Sequence, residues 1–333
     1  MRNDKDAETG EAETGTARHH GEPPVALRPL GRTGLDASPI TLGASKLGRG
    51  TQPGSPEEVQ AIALAAAMLH GPYALIDTSN GYADGRSETV LGAALKRAGA
   101  AQGRRIATKA DRDPETGAFD RDRVLRSFDE STRRLGLEHI EVLHLHDPYT
   151  ISFDEAMAAG GAVAGLIELR DEGRVDAIGV AFGPISTLNR YVATGAFDLV
   201  LTHNRFTLAN RSAEPVLRTA RDRGMGVFNA APFGGGLLAR GAASGATYHY
   251  TQSPPALLDW VARAEQVCLR HGIDLPTAAL HFSLRSPLID TTVVGTSSPA
   301  RIANLELMRL TPVPGELWSE LDALGTPPTP ILD

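Results

Sequence analysis

Short, unbroken apolar runs recur along the chain around Ile40, Ile76, Ile106, Val142, Ile178, Val200, Val227 and Val293. Runs of this kind predict strands buried on both faces. Amphipathic stretches of helical period separate them: one starting at Ser55, then Ser87 to Lys96, Arg121 to Leu135, Ala156 to Glu172, Ile185 to Ala193 and Glu214 to Arg223. The first opens on Ser55-Pro56-Glu57-Glu58, a capping box with proline at the first helical position. Several stop at a glycine (Gly136, Gly173, Gly195, Gly224) where a left-handed cap is required. Eight strand–helix units is the number that closes a TIM barrel, so the predicted fold is α/β, a (β/α)8 barrel. An open, doubly wound sheet uses the same alternation, but no G-x-G-x-x-G follows the first strand.

Two departures from a bare barrel are expected. Leu27 to Leu30 and Leu35 to Ala37 flank Gly31-Arg32-Thr33-Gly34, which predicts an N-terminal β-hairpin serving as a lid on one barrel end. Between the seventh and eighth strands lies a long insertion. It holds Gly234-Gly235-Gly236, Tyr248-His249-Tyr250, and helices predicted from Pro255 to His271 and Thr277 to Leu284. Insertions of that length on a compact barrel commonly serve binding. Residues 1–25 are polar and repeat themselves (Ala7-Glu8-Thr9-Gly10, Ala12-Glu13-Thr14-Gly15), which predicts a disordered leader and leaves 26–333 as a single barrel domain.

Composition narrows the partners. With 333 residues and 41% hydrophobic content, core size is not limiting. A net charge of −7 without a dense basic run argues against nucleic acid or an anionic membrane as partner. Ala61 to Leu69, the longest apolar stretch, is too short to span a bilayer. A lone cysteine, Cys268, excludes an intrachain disulfide and a cysteine metal cluster, and the expected compartment is the cytoplasm. Oligomeric state leaves no mark on the sequence.

The candidate chemistry lies where strands end: Asp77 after Ala74-Leu75-Ile76, Tyr82 in the same loop, Lys109 after Ile106-Ala107-Thr108, and His146 after Val142 to Leu145. Singly, each has a plain alternative as a helix cap, a solvated lysine or a satisfied histidine. In a barrel, however, all four converge on the C-terminal face. There Lys109 would favour the phenolate of Tyr82, Asp77 would hold Lys109, and His146 would donate to an oxygen nearby. Such a set suits protonation of a carbonyl oxygen while a hydride reaches its carbon. A barrel metallohydrolase lacks the further carboxylate and histidine ligands it would need, so no metal site is expected.

These residues resemble the aldo/keto reductase superfamily, over nearly everything from Leu27 to about Leu310. The resemblance is carried by Asp77-Thr78-x-x-x-Tyr82-x-x-Gly85-x-Ser87-Glu88, Thr108-Lys109, His146-Asp147-Pro148 and Gly295-Thr296-Ser297-Ser298-Pro299. It implies that Tyr82 is the general acid/base, that Lys109 and Asp77 tune it, and that His146 orients a substrate carbonyl. His144, on the same face by period 2, is expected to fill the barrel. It also implies a nicotinamide cofactor, NADP(H) or NAD(H) with NADP slightly preferred. The positions matching its contacts are Gly43, Asp77, Asn204, Pro232, Phe233, Gly234, Leu237, Gly295, Thr296, Ser298, Arg301 and Asn304. Arg301 would pair with a 2′-phosphate or stack on adenine, and the glycine run would allow close backbone approach to a pyrophosphate.

At the nicotinamide end the chain departs from the family. Ala181-Phe182 stands for the usual Ser-Asn, Val200 for the usual Gln, and Ala230 for the stacking aromatic, with Asn204 or Asn229 as possible substitutes. These changes, with Asn229-Ala230-Ala231-Pro232 and Cys268 ahead of His271-Gly272, resemble the branch of D-threo-aldose 1-dehydrogenases, L-fucose or galactose dehydrogenases and pyridoxal 4-dehydrogenase. The implied substrate is a small aldehyde, ketone or sugar hemiacetal, selected by Tyr248, His249, Tyr250, Phe182, Phe233 and the variable loops. The alternative is a nicotinamide-binding redox sensor or partner-regulating protein with little turnover, like potassium channel beta subunits.

Overall fold

A computed structural model of the chain describes residues 25–98, 105–242, 245–249, 251–328 and 331; the acidic leader and Tyr250 lie outside the described residues. The chain enters through an antiparallel hairpin of β1 (Arg28–Pro29) and β2 (Asp36–Ala37). The barrel then builds as β3 (Ile40–Gly43), α1 (Pro56–His70), β4 (Leu75–Asp77), α2 (Arg86–Ala98), β5 (Arg105–Ala110), α3 (Arg121–Leu135) and β6 (Ile140–His146). It continues with α4 (Phe153–Met157), α5 (Ala162–Asp171), β7 (Val175–Ala181), α6 (Ile185–Thr194), β8 (Leu199–His203), α7 (Glu214–Asp222) and β9 (Gly226–Ala230). The predicted insertion follows: a glycine turn at Gly234–Gly236, α8 (Leu237–Arg240), a small hairpin of β10 (Thr247–Tyr248) and β11 (Thr251–Gln252), α9 (Pro255–Arg270) and α10 (Leu275–Leu284). Then β12 (Thr291–Gly295) pairs in parallel with both β9 and β3 and closes the barrel, ahead of α11 (Pro299–Leu310) and α12 (Gly315–Ala323).

Strand period 2 sorts the apolar residues into two cores. Ile40, Leu42, Ile76, Ile106, Leu143, Ile178, Val180, Val200, Val227 and Val294 face outward and pack under the helices. Leu75, Ala107, Val142, Ala177, Leu199, Leu201, Phe228 and Val293 face inward and fill the barrel. Leu30 and Ala37 of the hairpin join that inner cluster. Since Leu75 and Ala107 stand near the starts of their strands, the hairpin plugs the N-terminal end. At the other end Asp77, Lys109 and His146 continue the same inward parity.

The helix expected from Ala156 to Glu172 is two helices. Ser152 and Glu155 form a reciprocal capping box that fixes the start of α4. The break falls at Gly160-Gly161, where a Cβ on Gly161 would stand 2.2 Å from the Glu155 carbonyl oxygen. The apolar period carries through the break, so periodicity alone runs the two together.

Backbone strain gathers at this C-terminal end. Among the described residues, the non-glycine positions with positive φ are Ala83, Asp84, Asp147, Asn204, Ala231 and His249. The first five follow the C-terminal ends of β4, β6, β8 and β9, and the sixth packs against the end of β8. Strain of this kind persists where surrounding structure enforces it, and it collects at functional sites.

Candidate functional site at the barrel mouth

The four strand-end residues predicted from sequence meet at this mouth. Lys109 is buried, and its Nζ donates to both Asp77 carboxylate oxygens at 2.8 Å and to the Thr78 carbonyl at 2.5 Å. The same Nζ lies 4.6 Å from the centre of the Tyr82 ring. His146 meets Tyr82 edge-on, with ring centres 5.4 Å apart and planes at 84°. Burial works against charge on Lys109, yet Asp77 and Tyr82 outweigh it and raise its pKa, so the ammonium is firmly held.

Tyr82 shows the opposite balance to the one expected. Burial pushes the phenol up to about 12, and the Lys109 ammonium only partly offsets this. Resting Tyr82 is therefore a protonated phenol beside the Lys109 ammonium.

A residue missed in the sequence completes the group. Asp111 lies one residue beyond β5 and accepts from His146 Nδ1 at 2.7 Å, from the Gly81 N–H at 2.7 Å, and from the Ser79 hydroxyl. Ser79 Oγ also stands 3.0 Å from His146 Nδ1. Burial opposes the Asp111 charge, but His146, Ser79 and Gly81 overcome it and bring the carboxyl down to about 2. Burial likewise opposes protonation of His146, and Asp111 reverses the sign so that its pKa is raised. Asp111 thus ties the Tyr82 loop to the His146 ring and directs Nε2 away from itself. The parallel register pairs Lys109 with His144 and Ala110 with Leu145, which brings Asp111 alongside His146. That cross-strand step was the available sign.

The loop carrying Tyr82 is anchored from below. Asn80 donates to the Ser127 carbonyl and to Glu130 of α3, and accepts from Arg123. Arg134 bonds the Asn80 carbonyl at 2.9 Å and the fully buried Glu88 at 3.2 Å, while Thr108 donates to Glu88 at 2.7 Å. These bonds account for Glu88 and Thr108 in the motif, and the Ser87 hydroxyl, bonded to the Ala44 carbonyl and Thr78 at 2.8 Å, accounts for Ser87. His144 is buried inside the barrel edge-on to Phe228; burial, then Lys109, pushes its pKa well below the usual imidazole value, as a neutral filler requires.

The positions matching cofactor contacts form an arc across β9, β12 and β3. Gly43 is buried at the end of β3, where a Cβ would press on Val293 at 3.3 Å. Gly295 is exposed and Thr296 buried at the end of β12, and Ser298 caps α11 by accepting from the Arg301 N–H at 3.2 Å. The Arg301 guanidinium lies 5.0 Å from the Phe233 ring centre, and no ion pair engages it among the described residues. Burial pulls its pKa down, the mark of a cation without a carboxylate. Pro232, Phe233 and Gly234 are buried in the turn below it, Leu237 points into the core, and Asn304 is exposed on α11. A cationic, glycine-lined arc at a helix N-terminus fits a phosphate-bearing dinucleotide.

Two expectations about the altered end and one about the substrate pocket need correcting. Val200 faces the helices and cannot reach the mouth; Leu199 and Leu201 are the inward apolar residues of that strand, and His203 continues their parity. Asn229 also faces outward, donating to Phe206 O and Ser283 Oγ at 2.8 Å, so it offers no substitute contact. Asn204 is buried at φ 59° beside His203, its Nδ2 3.2 Å from His203 Nδ1. Ala181 ends β7 and Ala230 ends β9, both inward, and Phe182 packs against Tyr149 with ring centres 4.9 Å apart. Tyr248, expected at the substrate, is instead a buried strut whose hydroxyl bonds the Asn204 carbonyl and Thr207 at 2.7 Å. It fills the space over Gly234, where a Cβ would meet its ring at 2.2 Å.

A closed parallel barrel with an Asp, Tyr, Lys and His joined at its C-terminal mouth, next to an arc of glycines, a helix N-terminus and Arg301, is the construction of a barrel oxidoreductase. The family model described as "Aldo/keto reductase family" matches residues 39–325, and the chain belongs to that family. Over 214 residues it is 35% identical to a D-threo-aldose 1-dehydrogenase of a Pseudomonas species, covering 64% of this chain and 64% of that protein. Over 283 residues it is 30% identical to L-galactose dehydrogenase of Arabidopsis thaliana, covering 84% and 86%. An aldo-keto reductase of Bacillus halodurans in its holo form has the same fold, with a TM-score of 0.75 at 22% identity over 90% of this chain and 96% of that one. The chain is an oxidoreductase. No described helix is long and apolar enough to cross a membrane, and no described cluster of His, Cys, Asp and Glu is arranged to hold a metal.

Proposed function

We propose that this protein is a nicotinamide-dependent oxidoreductase that interconverts a carbonyl and an alcohol on a small aldehyde, ketone or sugar hemiacetal. The observation that carries this reading is the Asp77–Lys109–Tyr82 contact set, with His146 beside it at the mouth. A bound nicotinamide supplies or takes up the hydride. The chain does the rest. Tyr82 gives its proton to the oxygen as a carbonyl is reduced, or takes it back as an alcohol is oxidised. Lys109 steadies the phenolate left behind, and Asp77 keeps Lys109 in place. His146, held through Nδ1 by Asp111, turns Nε2 toward the reacting oxygen and stabilises the charge that develops there.

Arg301, Ser298, Thr296 and the turn at Gly234–Gly236 would hold the dinucleotide's phosphates and adenine. The guanidinium of Arg301, without an ion pair among the described residues, supports NADP(H) over NAD(H). The experiment is a matched absorbance screen with NAD(H) and NADP(H) against aldehydes, ketones and aldoses in both directions. Turnover that depends on one of these cofactors and is indifferent to chelators is the expected result. Tight nicotinamide binding with no turnover across the panel would instead favour a redox-sensing role.

A further inference from the structure

His146 is followed by Asp147, which the mechanism above does not use. Asp147 adopts φ 41°, a left-handed conformation that aspartate tolerates better than most residues. Its backbone N–H is fixed to the Ala181 carbonyl at 3.0 Å, and its own carbonyl accepts from the Tyr149 N–H at 2.7 Å. That bend sets the carboxylate between two imidazoles. Oδ2 lies 3.8 Å from His146 Nε2, and Oδ1 lies 3.8 Å from Nε2 of His203 at the end of β8. Both distances suit an ion pair and exceed a hydrogen bond. Asp147 Oδ1 and His203 Nε2 are shielded from solvent and without hydrogen-bond partners among the described residues.

The surroundings fix what each atom offers. Asn204 Nδ2, an amide donor, lies 3.2 Å from His203 Nδ1, which leaves Nε2 to carry an N–H. His249, from the hairpin of β10 and β11, stacks on His203 with planes 14° apart and ring centres 5.8 Å apart, so the ring cannot turn freely. An acceptor and a donor therefore face each other across a gap that a single oxygen, hydrogen-bonded to both, would bridge. A hydroxyl satisfies both at once, since it donates to the carboxylate and accepts from the imidazole. The same carboxylate's other oxygen lies beside His146 Nε2, where the reacting oxygen is received. The bridging hydroxyl thus belongs on the carbon next to the reacting one.

We propose that Asp147 and His203 form a subsite for the hydroxyl adjacent to the reacting carbon, which makes an α-hydroxy carbonyl or its hemiacetal, as in an aldose, the preferred substrate. This deepens the functional reading above and rests on it.

The test compares an aldohexose with its 2-deoxy counterpart, using wild type, Asp147→Asn and His203→Ala, by absorbance of the reduced nicotinamide, with an aromatic aldehyde as a third substrate. Asparagine keeps the left-handed bend and removes the charge, and circular dichroism checks that both variants fold. The expected wild-type ratio of kcat/KM, aldohexose over 2-deoxy sugar, is about 10 to 100, the range for a hydrogen bond to a charged group. In both variants it should collapse toward one, while fluorescence titration returns a wild-type dissociation constant for the reduced cofactor. A wild-type ratio near one, or a ratio unchanged in both variants, overturns the subsite. Weakened cofactor binding with the ratio intact would mean that these residues grip the nicotinamide instead, and also overturns it. Turnover of the aldehyde without the sugar sinks the subsite alone, whereas no turnover of any substrate sinks the functional reading beneath it.

Discussion

Asp111 shows how much of the site depends on one side chain. It accepts from the His146 ring, from Ser79 and from the backbone of the Tyr82 loop, so a single carboxylate sets the relation between that loop and the His146 ring. Its depressed pKa means that its contribution to stability is present above the ordinary carboxylate value and is lost as pH falls toward about 2. The raised pKa of His146 means that its contribution is complete below the ordinary imidazole value and is lost as pH rises through the folded-state value. Both hold between roughly pH 4 and 6.5. Asp111→Asn should therefore lose most stability there, ~2 kcal/mol, with the gap to wild type narrowing on either side in urea melts across pH. The same variant should shift the His146 limb of the kcat/KM profile to lower pH.

The helices carry the loop that carries Tyr82, and α2 and α3 must approach closely to do so. Gly92 of α2 permits this, since a Cβ there would stand 2.0 Å from the Arg134 carbonyl oxygen, a backbone atom that cannot swing aside. Gly92→Ala should cost about 1–3 kcal/mol, read as a lower Tm. It should also raise mobility around Asn80, seen as faster amide exchange. The boundaries of α3 were legible because Asp120 caps one end and a left-handed Gly136 the other. The division between α4 and α5 was not, because Gly161 packs against a backbone that only the folded chain brings near. Asp111 escaped for the same kind of reason, as did the facing of Asp147 and His203. Each acquires its partner from a neighbouring or more distant strand end, and barrel register fixes that neighbour rather than local sequence. The upward shift of Tyr82 likewise comes from enclosure, which a sequence does not record.

For the molecule as a whole, the two barrel ends divide the labour. The N-terminal end is closed by the hairpin, with Leu30 buried in the inner cluster, while the C-terminal end collects the strained loops and the charged groups. Leu30→Ala should cost about 2–5 kcal/mol in urea unfolding while leaving KM for the carbonyl substrate unchanged. A parallel rise in KM would mean that the two ends are coupled. The eight strands were readable because parallel barrel strands are apolar on both faces and so appear as unbroken runs. In the proposed mechanism Tyr82 joins the fold to the chemistry, and its replacement is the most direct test. Tyr82→Phe should bind reduced nicotinamide as wild type does and lose at least about two orders of magnitude in kcat on any carbonyl that the wild type reduces. A Tyr82→Phe enzyme that turns over at the wild-type rate would contradict the proposed mechanism.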